Sequence, residues 1–534
     1  MLDFAAAARN ILDDVVAHEP VAATFLGVHS YDGEFPDMSS GGFAERRRRA
    51  ESHLKTLRSY DPAELSPDDR IDWDLMRASF AVGVREHDEL QAFARNPSLY
   101  SDTAINGIYG LFMRDFAPLT ERLPSVQRRL EKVPELLRAG RMNLTHPPVI
   151  WLDNAAEETE GAIEFLRATV GPHASDRPQL NRALDGAMEG LREYGDYLKW
   201  KRGTADGITF AAGASLFDYK LRHEHFLPYD SESLLAFGEA AVRSTRQALD
   251  EAARSMDPSK AWPELIDAFR EDHPSAPALL DEYRRSLDAA KQFVLDRGLV
   301  TIPAGERLRI VETPAFMRPT LPYAAYQSPG AFDEEQDGIY YVTPVDGTAS
   351  EAIRAEQLRG HNRFGMLLTN VHEGYPGHHL QLVRANQSAS AVRRIFRDSS
   401  VFCEGWALYC EQLVLDEGLS DDPRMRLFQL KDQLWRACRV VVDVKLHTLG
   451  MTFDEAVDYL VDVARLERSN AIGEVRRYTL SPTQPMSYLV GKQQIVELRG
   501  RERVRLGSRF DLRAFHDRLL SFGTVPIALI EPNL

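Results

Sequence analysis

Cysteine is scarce in this chain: Cys403, Cys410 and Cys438 are the three among 534 residues. So small and odd a set excludes a disulfide framework and fits a reducing compartment. Long apolar runs are missing as well. No window approaches the roughly 18 uncharged apolar residues that a spanning helix needs, so no membrane-crossing segment and no membrane partner are expected. Basic charge falls short of acidic, 64 Lys and Arg against 80 Asp and Glu, for a net charge of −16. That balance excludes the basic face a nucleic-acid partner requires. The run Arg46-Arg47-Arg48-Arg49 is a local exception between Glu45 and Glu51 and reads as a solvated helix face. The segment Met1-Leu2-Asp3-Phe4-Ala5 carries an early acid and no basic stretch; no signal peptide is expected, and the expected location is cytoplasmic. A glycine-rich phosphate loop, a Gly-x-Ser-x-Gly nucleophile elbow and internal repeats are all absent.

What is present is ordinary globular material, 44% hydrophobic and 27% charged. Its period is mostly helical. Residues 1–145 read as amphipathic helices with short turns: one through Val16 that stops at Pro20, a charged one from Phe43 to Leu57, and a long one through Trp73, Met76, Phe80 and Val84. Ser66-Pro67-Asp68-Asp69 gives that last helix its start, with Ser66 as cap, Pro67 at the first helical position and acids in the first turn. Glu157 to Val170, Ser231 to Ala253 and Leu280 to Asp296 continue the pattern, around a loop-rich interval from Gly203 to Asp230. His223 and His225 flank Glu224 there and read as ordinary loop histidines.

The pattern changes near residue 300. Arg307-Leu308-Arg309-Ile310-Val311 alternates, and Gly338-Ile339-Tyr340-Tyr341-Val342-Thr343 is rich in β-branched and aromatic residues, so both are expected to be strands. A proline-rich interval with Pro314, Pro319, Pro322 and Pro329 separates them. The expectation is a mainly α fold with a small β-hairpin or sheet, divided into 1–300 and 301–534 but forming one continuous structural unit. The sheet is expected either to brace the next helix or to offer an edge to an extended peptide. The last third is again helical, Leu427 to Gly450 and Phe453 to Ser469.

Directly after the strands comes Val371-His372-Glu373-Gly374-Tyr375-Pro376-Gly377-His378-His379-Leu380-Gln381, preceded by Phe364, Leu367 and Leu368 at helical spacing. Imidazole is the commonest zinc ligand, and a Glu following the first His is where metallohydrolases keep their general base. The usual spacing places the second His four residues on. Here His378 would be turned by about 120° on an unbroken helix, and His379 would lie about 10 Å further along it. Pro376 and Gly377 are the residues that can interrupt the helix, and a local bulge is expected that returns one of the two histidines to the metal. Some 30 residues later Val401-Phe402-Cys403-Glu404-Gly405-Trp406-Ala407-Leu408-Tyr409-Cys410-Glu411 is apolar almost all round. A carboxylate in such a helix is costly unless paired or bound to metal, which marks Glu404 as the third ligand with Glu411 as the fallback. Arg477, Tyr478, Tyr488 and Lys492 bring phenols and cations suited to an oxyanion or a carboxylate, although aromatic residues at helical spacing are equally often core.

With these residues in view, His-Glu-Gly-Tyr-Pro-Gly-His-His-Leu-Gln at 372–381, Cys-Glu-Gly-Trp-Ala-Leu-Tyr at 403–409 and Pro-Met-Ser-Tyr-Leu-Val-Gly-Lys at 485–492 closely resemble the DUF885 family of uncharacterised, zincin-like bacterial proteins. The resemblance extends over nearly the whole chain. It implies a large helical zincin-like metallopeptidase fold, distantly similar to helical zinc peptidases with a His-Glu-x-Gly-His motif. On that comparison Gly377-His378 matches the closing Gly-His, which favours His378 over His379 as second ligand and leaves His379 beside it in support. The function expected is a zinc-dependent metallopeptidase for short peptides, with His372, His378 and Glu404 as ligands, Glu373 as general base, and Tyr488 or Tyr478 with Arg477 at the oxyanion or substrate carboxylate. A zinc hydrolase of a non-peptide amide or ester is the alternative. A non-catalytic protein with a vestigial metal site is a third. No oligomeric state follows from the sequence.

Overall fold

The structure is a computed structural model that describes residues 3–205, 207–314, 317–318, 321 and 323–534. Met1, Leu2, Pro319 and Pro322 of the readings above lie outside the described residues. Helices dominate, and the described strands form one three-stranded sheet. Contacts divide the chain into two compact units, residues 1–212 with 315–317 and 330–334, and the remainder from Gly213 to Leu534. The division falls at Ala212/Gly213 rather than at 300, because the helices of 213–300 pack into the second unit: Ser231–Met256 lies along Pro423–Thr448, and Leu279–Arg297 lies against Arg363–Glu373.

In the first unit, Ser66 caps the Pro67–Glu89 helix as its sequence requires, accepting the Asp69 amide at 3.1 Å. Ser98–Tyr109, Leu119–Asn143, Val149–Thr169 and Pro178–Arg202 pack together over a core that includes Leu130, Val133, Phe165, Leu166, Leu184 and Leu191. Arg129 is wholly buried in this unit.

In the second unit the sheet order is β1 (Arg307–Glu312), β3 (Asp337–Val342), β2 (Ala324–Gln327). β1 and β3 run parallel, so they are not the arms of a hairpin. Instead β2, from within the proline-rich interval, pairs antiparallel with β3. Alternation identified the two strands but says nothing about pairing direction, and β2 is too short, at four residues, to show a period. Two other boundaries differ. Ala214–His223 is a helix inside the expected loop interval. The expected helix of 453–469 ends at Ala464, where Arg465 takes a left-handed conformation with φ 57°, and a new one begins at Arg468.

A close helix pair positions the site. Ser400–Asp416 and Ser487–Leu506 cross at Gly405 and Gly491, where a Cβ on Gly491 would stand 1.8 Å from the Val401 carbonyl oxygen. Only glycine permits that approach, and it brings Glu404 of one helix beside Tyr488 of the other.

Candidate metal centre

The Arg363–Glu373 helix starts at Asn362, whose side chain accepts the Gly365 amide at 2.8 Å, and buries Phe364, Leu368, Val371 and His372. It does not bulge; it stops. Gly374 leaves helical dihedrals, and a second helix, His378–Asn386, opens directly on His378. Gly377 is tucked so tightly under the first helix that a Cβ would stand 1.9 Å from the His372 carbonyl oxygen. The break is held from the neighbouring helix by Trp406, whose indole N–H donates to the Pro376 carbonyl at 2.8 Å. Starting a new helix, rather than widening the old one, is what brings His378 back to His372.

The two imidazoles meet edge to face, with ring centroids 4.7 Å apart. Glu404 closes the set: its Oε2 lies 3.2 Å from His378 Nε2 and 3.7 Å from His372 Nε2. One ligand-type atom from each of the three residues falls within 4.8 Å of the others. Glu404 Oε2 is buried, yet no hydrogen bond of acceptable geometry reaches it among the described residues. Two imidazole nitrogens and one carboxylate oxygen therefore converge on one spot.

The outer edges of the rings are held. His372 Nδ1 donates to Glu411 Oε1 at 2.7 Å, which leaves Nε2 as the free lone pair. His378 Nδ1 faces the Cys403 sulfur at 3.3 Å. Electrostatics agree that the cluster demands positive charge. Burial opposes charge on both imidazoles, but Glu404 and Glu411 raise His372, and Cys403 and Glu404 raise His378 well above an ordinary imidazole. Burial likewise pushes Glu404 upward, but the two histidines hold it well below the usual carboxylate range. A cation would satisfy the same demand. Two imidazoles and one carboxylate, with a carboxylate behind one ring, are the donor chemistry of a three-ligand zinc site.

His379 does not join. One residue further round the helix, about 100° away, its Nε2 meets Glu306 Oε2 at 2.5 Å and its Nδ1 meets the Tyr326 hydroxyl at 3.1 Å. Glu306 also accepts from Tyr375 at 2.5 Å and from Lys291 at 2.6 Å. Despite its burial, those three donors hold Glu306 down to about 2. Glu411 does not join the three either; it holds His372 through Nδ1. Glu373 is half-buried, follows His372, and accepts no hydrogen bond among the described residues.

Of the two tyrosines, Tyr488 is at the site: its ring stacks 6.2 Å from that of His372 at an interplanar angle of 17°. Tyr478 is a correction. It is wholly buried, and its hydroxyl accepts from Arg439 Nε at 2.7 Å, so it serves packing rather than the site. Arg477 is likewise engaged, donating to Gln484 at 2.8 Å and Glu474 at 3.0 Å. Buried Lys492, lowered to about 8 by desolvation, donates to Gln433. His223 and His225 are not ordinary loop histidines: His223 ends the Ala214–His223 helix, and His225 is buried with Nε2 2.9 Å from the Thr483 hydroxyl.

Sequence reasoning missed four residues. Arg436 and Arg439 lie in Trp435-Arg436-Ala437-Cys438-Arg439-Val440-Val441-Val442, and charges inside an apolar helix were the same signal that marked Glu404. Asp443 follows in that run. It is wholly buried, raised to about 8 by desolvation, and accepts the amides of Thr483 and Met486 at 3.2 Å each, which anchors the loop leading into the Tyr488 helix. Glu306, at a strand edge, carried no sequence signal.

The model of a family described as "Bacterial protein of unknown function (DUF885)" matches residues 20–534. A solved structure of a presumed lipoprotein of unknown function from Shewanella oneidensis is similar at 26% identity and a TM-score of 0.82, covering 100% of both chains. Another, of a presumed lipoprotein from Colwellia psychrerythraea, shares the fold at 17% identity and a TM-score of 0.82, over 99% of this chain and 97% of that one. No curated protein matches the chain. Among the described residues no helix is long and apolar enough to cross a membrane.

Proposed function

The chain belongs to the DUF885 family, whose function is unknown, and we propose that this member is a zinc-dependent metallopeptidase of zincin-like, helical architecture that hydrolyses short peptides. The observation that carries the reading is the convergence of His372, His378 and Glu404 within 4.8 Å, with Glu404 Oε2 buried between the two imidazoles. Those three would hold the metal. Zn²⁺ bound there would supply a Lewis acid and a water of lowered pKa.

The chain's own groups supply the rest. Glu411 fixes the tautomer and tilt of His372. Glu373, free of hydrogen bonds among the described residues, takes a proton from the attacking water and delivers it to the leaving amine. Tyr488, beside His372, donates its phenol proton in a hydrogen bond to the developing oxyanion. β1 and β2 are the outer strands of the sheet, and an extended peptide would pair along one of them. The three cysteines are free, in keeping with the cytoplasmic location, which is part of this proposal. The name lipoprotein belongs to the structural neighbours, and fractionation of the source cells decides between the two.

The test is mass spectrometry of a mixed synthetic peptide library incubated with zinc-loaded protein and with its Glu373→Gln variant. The expected result is cleavage by the parent and a loss of about 10²–10⁴-fold in the variant, with zinc content equal in both. Zinc lost from the variant together with retained cleavage would overturn the roles. An untouched library with zinc in place would direct the search to non-peptide amides and esters.

A further inference from the structure

On the Tyr488 side of the cluster, one turn of the Pro423–Thr448 helix presents Trp435, Arg436 and Arg439. Arg439 is 3% exposed, and its guanidinium carbon lies 4.3 Å from the Trp435 ring and 4.5 Å from the Tyr488 ring. Arg436 stands 4.2 Å from Trp435 and 5.7 Å from Tyr488. The two cations thus share the face of the aromatic residue that flanks His372.

Their hydrogen bonds are incomplete in a consistent direction. Arg439 spends Nε on Tyr478 and Nη2 on Glu474, the latter at 2.8 Å, and its Nη1 has no partner. Arg436 has neither a partner for Nε nor one for Nη1, and its nearest carboxylate, Asp432, is 4.0 Å away. Trp435 Nε1 is unpartnered too. At other buried arginines, such as Arg95 and Arg122, a single Nε is missed. Here four buried donors on one helical turn lack an acceptor, and all are donors. Charge repeats the imbalance: Arg439 and Arg477 share the one carboxylate of Glu474. A buried surplus of guanidinium and indole N–H groups suits a planar anion, which guanidinium can grip with two N–H groups.

We propose that Arg436, Arg439 and Trp435 receive a carboxylate, that this carboxylate is the C-terminus of the peptide substrate, and that the enzyme is a carboxypeptidase. The proposal rests on the peptidase reading and names its substrate class. Since the Tyr488 ring is 6.2 Å from His372 and 4.5 Å from Arg439, the cation is within about 11 Å of the imidazole. An extended chain covers about 3.3–3.6 Å per residue, so the scissile bond falls one or two residues before the bound C-terminus. Water adds its oxygen to that carbonyl carbon, the C–N bond breaks, one water proton passes through Glu373 to the departing amine, and the products are a shortened peptide acid and a free amino acid or dipeptide.

The experiment uses three probes: N-acetyl-Ala-Ala-Ala-Phe as free acid, the same peptide as C-terminal amide, and an amidated peptide with an internal Glu. Turnover is measured with the zinc-loaded protein and its Arg436→Gln and Arg436→Lys variants. Binding is measured by calorimetry to the Glu373→Gln variant with and without zinc. The expected result is cleavage of the free acid at least about tenfold more efficient than of the amide. Binding should show the same preference even without zinc, and the gap should close through KM in Arg436→Gln and be partly kept in Arg436→Lys. Equal cleavage and equal binding of acid and amide would overturn the carboxylate receptor while leaving a peptidase. Preferred binding of the acid with no turnover of any probe would keep the receptor and overturn the peptidase reading. Cleavage beside the internal Glu of the amidated peptide, as fast as of the free acid, would overturn the C-terminus as the source of the carboxylate.

Discussion

Arg129 in the first unit and Arg439 in the second are both guanidiniums withdrawn from water, and their surroundings differ. Arg129 has its hydrogen bonds made: Nε to the Glu34 carbonyl at 3.0 Å, Nη1 to Gly107 at 2.5 Å, and Nη2 to Pro20 at 3.1 Å and the Thr24 hydroxyl at 2.9 Å. Its charge is also discouraged. Burial pulls its pKa down to about 10 against the pull of Asp32 and Glu34. It is a tie between backbone segments of one unit. Arg439 and Arg436 keep donors in reserve, as do the acceptors across the site: Glu404 Oε2 and Glu411 Oε2 are also buried without a hydrogen bond. Native structures leave few buried polar groups unmatched. Where unmatched groups gather around two imidazoles and a carboxylate, the proposal supplies a cation on one side and an anion on the other.

That contrast can be broken or sharpened. The largest effect is expected from Arg129→Met, which removes four hydrogen bonds from the first unit and should lower stability by about 3 kcal/mol or more in denaturant unfolding; an unchanged midpoint would remove Arg129 as a structural tie. Next is Glu306→Gln. Its folded pKa of about 2 lies below the ordinary 4.5, so its stabilisation is complete above about pH 5 and is lost as pH falls through that interval toward 2. The variant should show lower stability at pH 7 and a flatter acid limb, read by unfolding at a series of pH values. Then comes Glu411→Gln, which keeps the shape but weakens the hold on His372; zinc affinity should fall about 10–100-fold in competition with a chelator. The smallest effect is the most telling. Arg436→Met should change stability by no more than about 0.5 kcal/mol in either direction, because Nε and Nη1 make no hydrogen bond to lose and the methionine chain keeps the contact with Trp435. A large destabilisation there would place Arg436 in the same class as Arg129.

Two motifs made the candidate site legible in the sequence. His372, Glu373 and the Pro-Gly break were visible as residue types that zinc chemistry uses, and Glu404 as an acid in a helix with no polar face. The choice of His378 over His379 was not legible from spacing, because it depends on where the helix stops. A bulge and a new helix rotate the following side chains differently, and Gly377 lying under the His372 carbonyl decided for the new helix. Tyr488 and Tyr478 looked alike in the sequence. They were separated by the Gly405–Gly491 crossing, which brings the Tyr488 ring beside His372 while the Tyr478 hydroxyl is taken by Arg439 Nε.

The sequence by itself determined the helical class, the Ser66 cap, two of the strands, the family, and the residue types of the site. All of these are local, written in periodicity, capping chemistry and contiguous motifs. The tertiary structure decided the parallel pairing of β1 with β3, the division at Ala212/Gly213, the role of Glu411 behind His372, and the turn of unpartnered donors at Trp435, Arg436 and Arg439. These depend on which helix faces which, and a donor is known to lack an acceptor only when every neighbour around it has been placed.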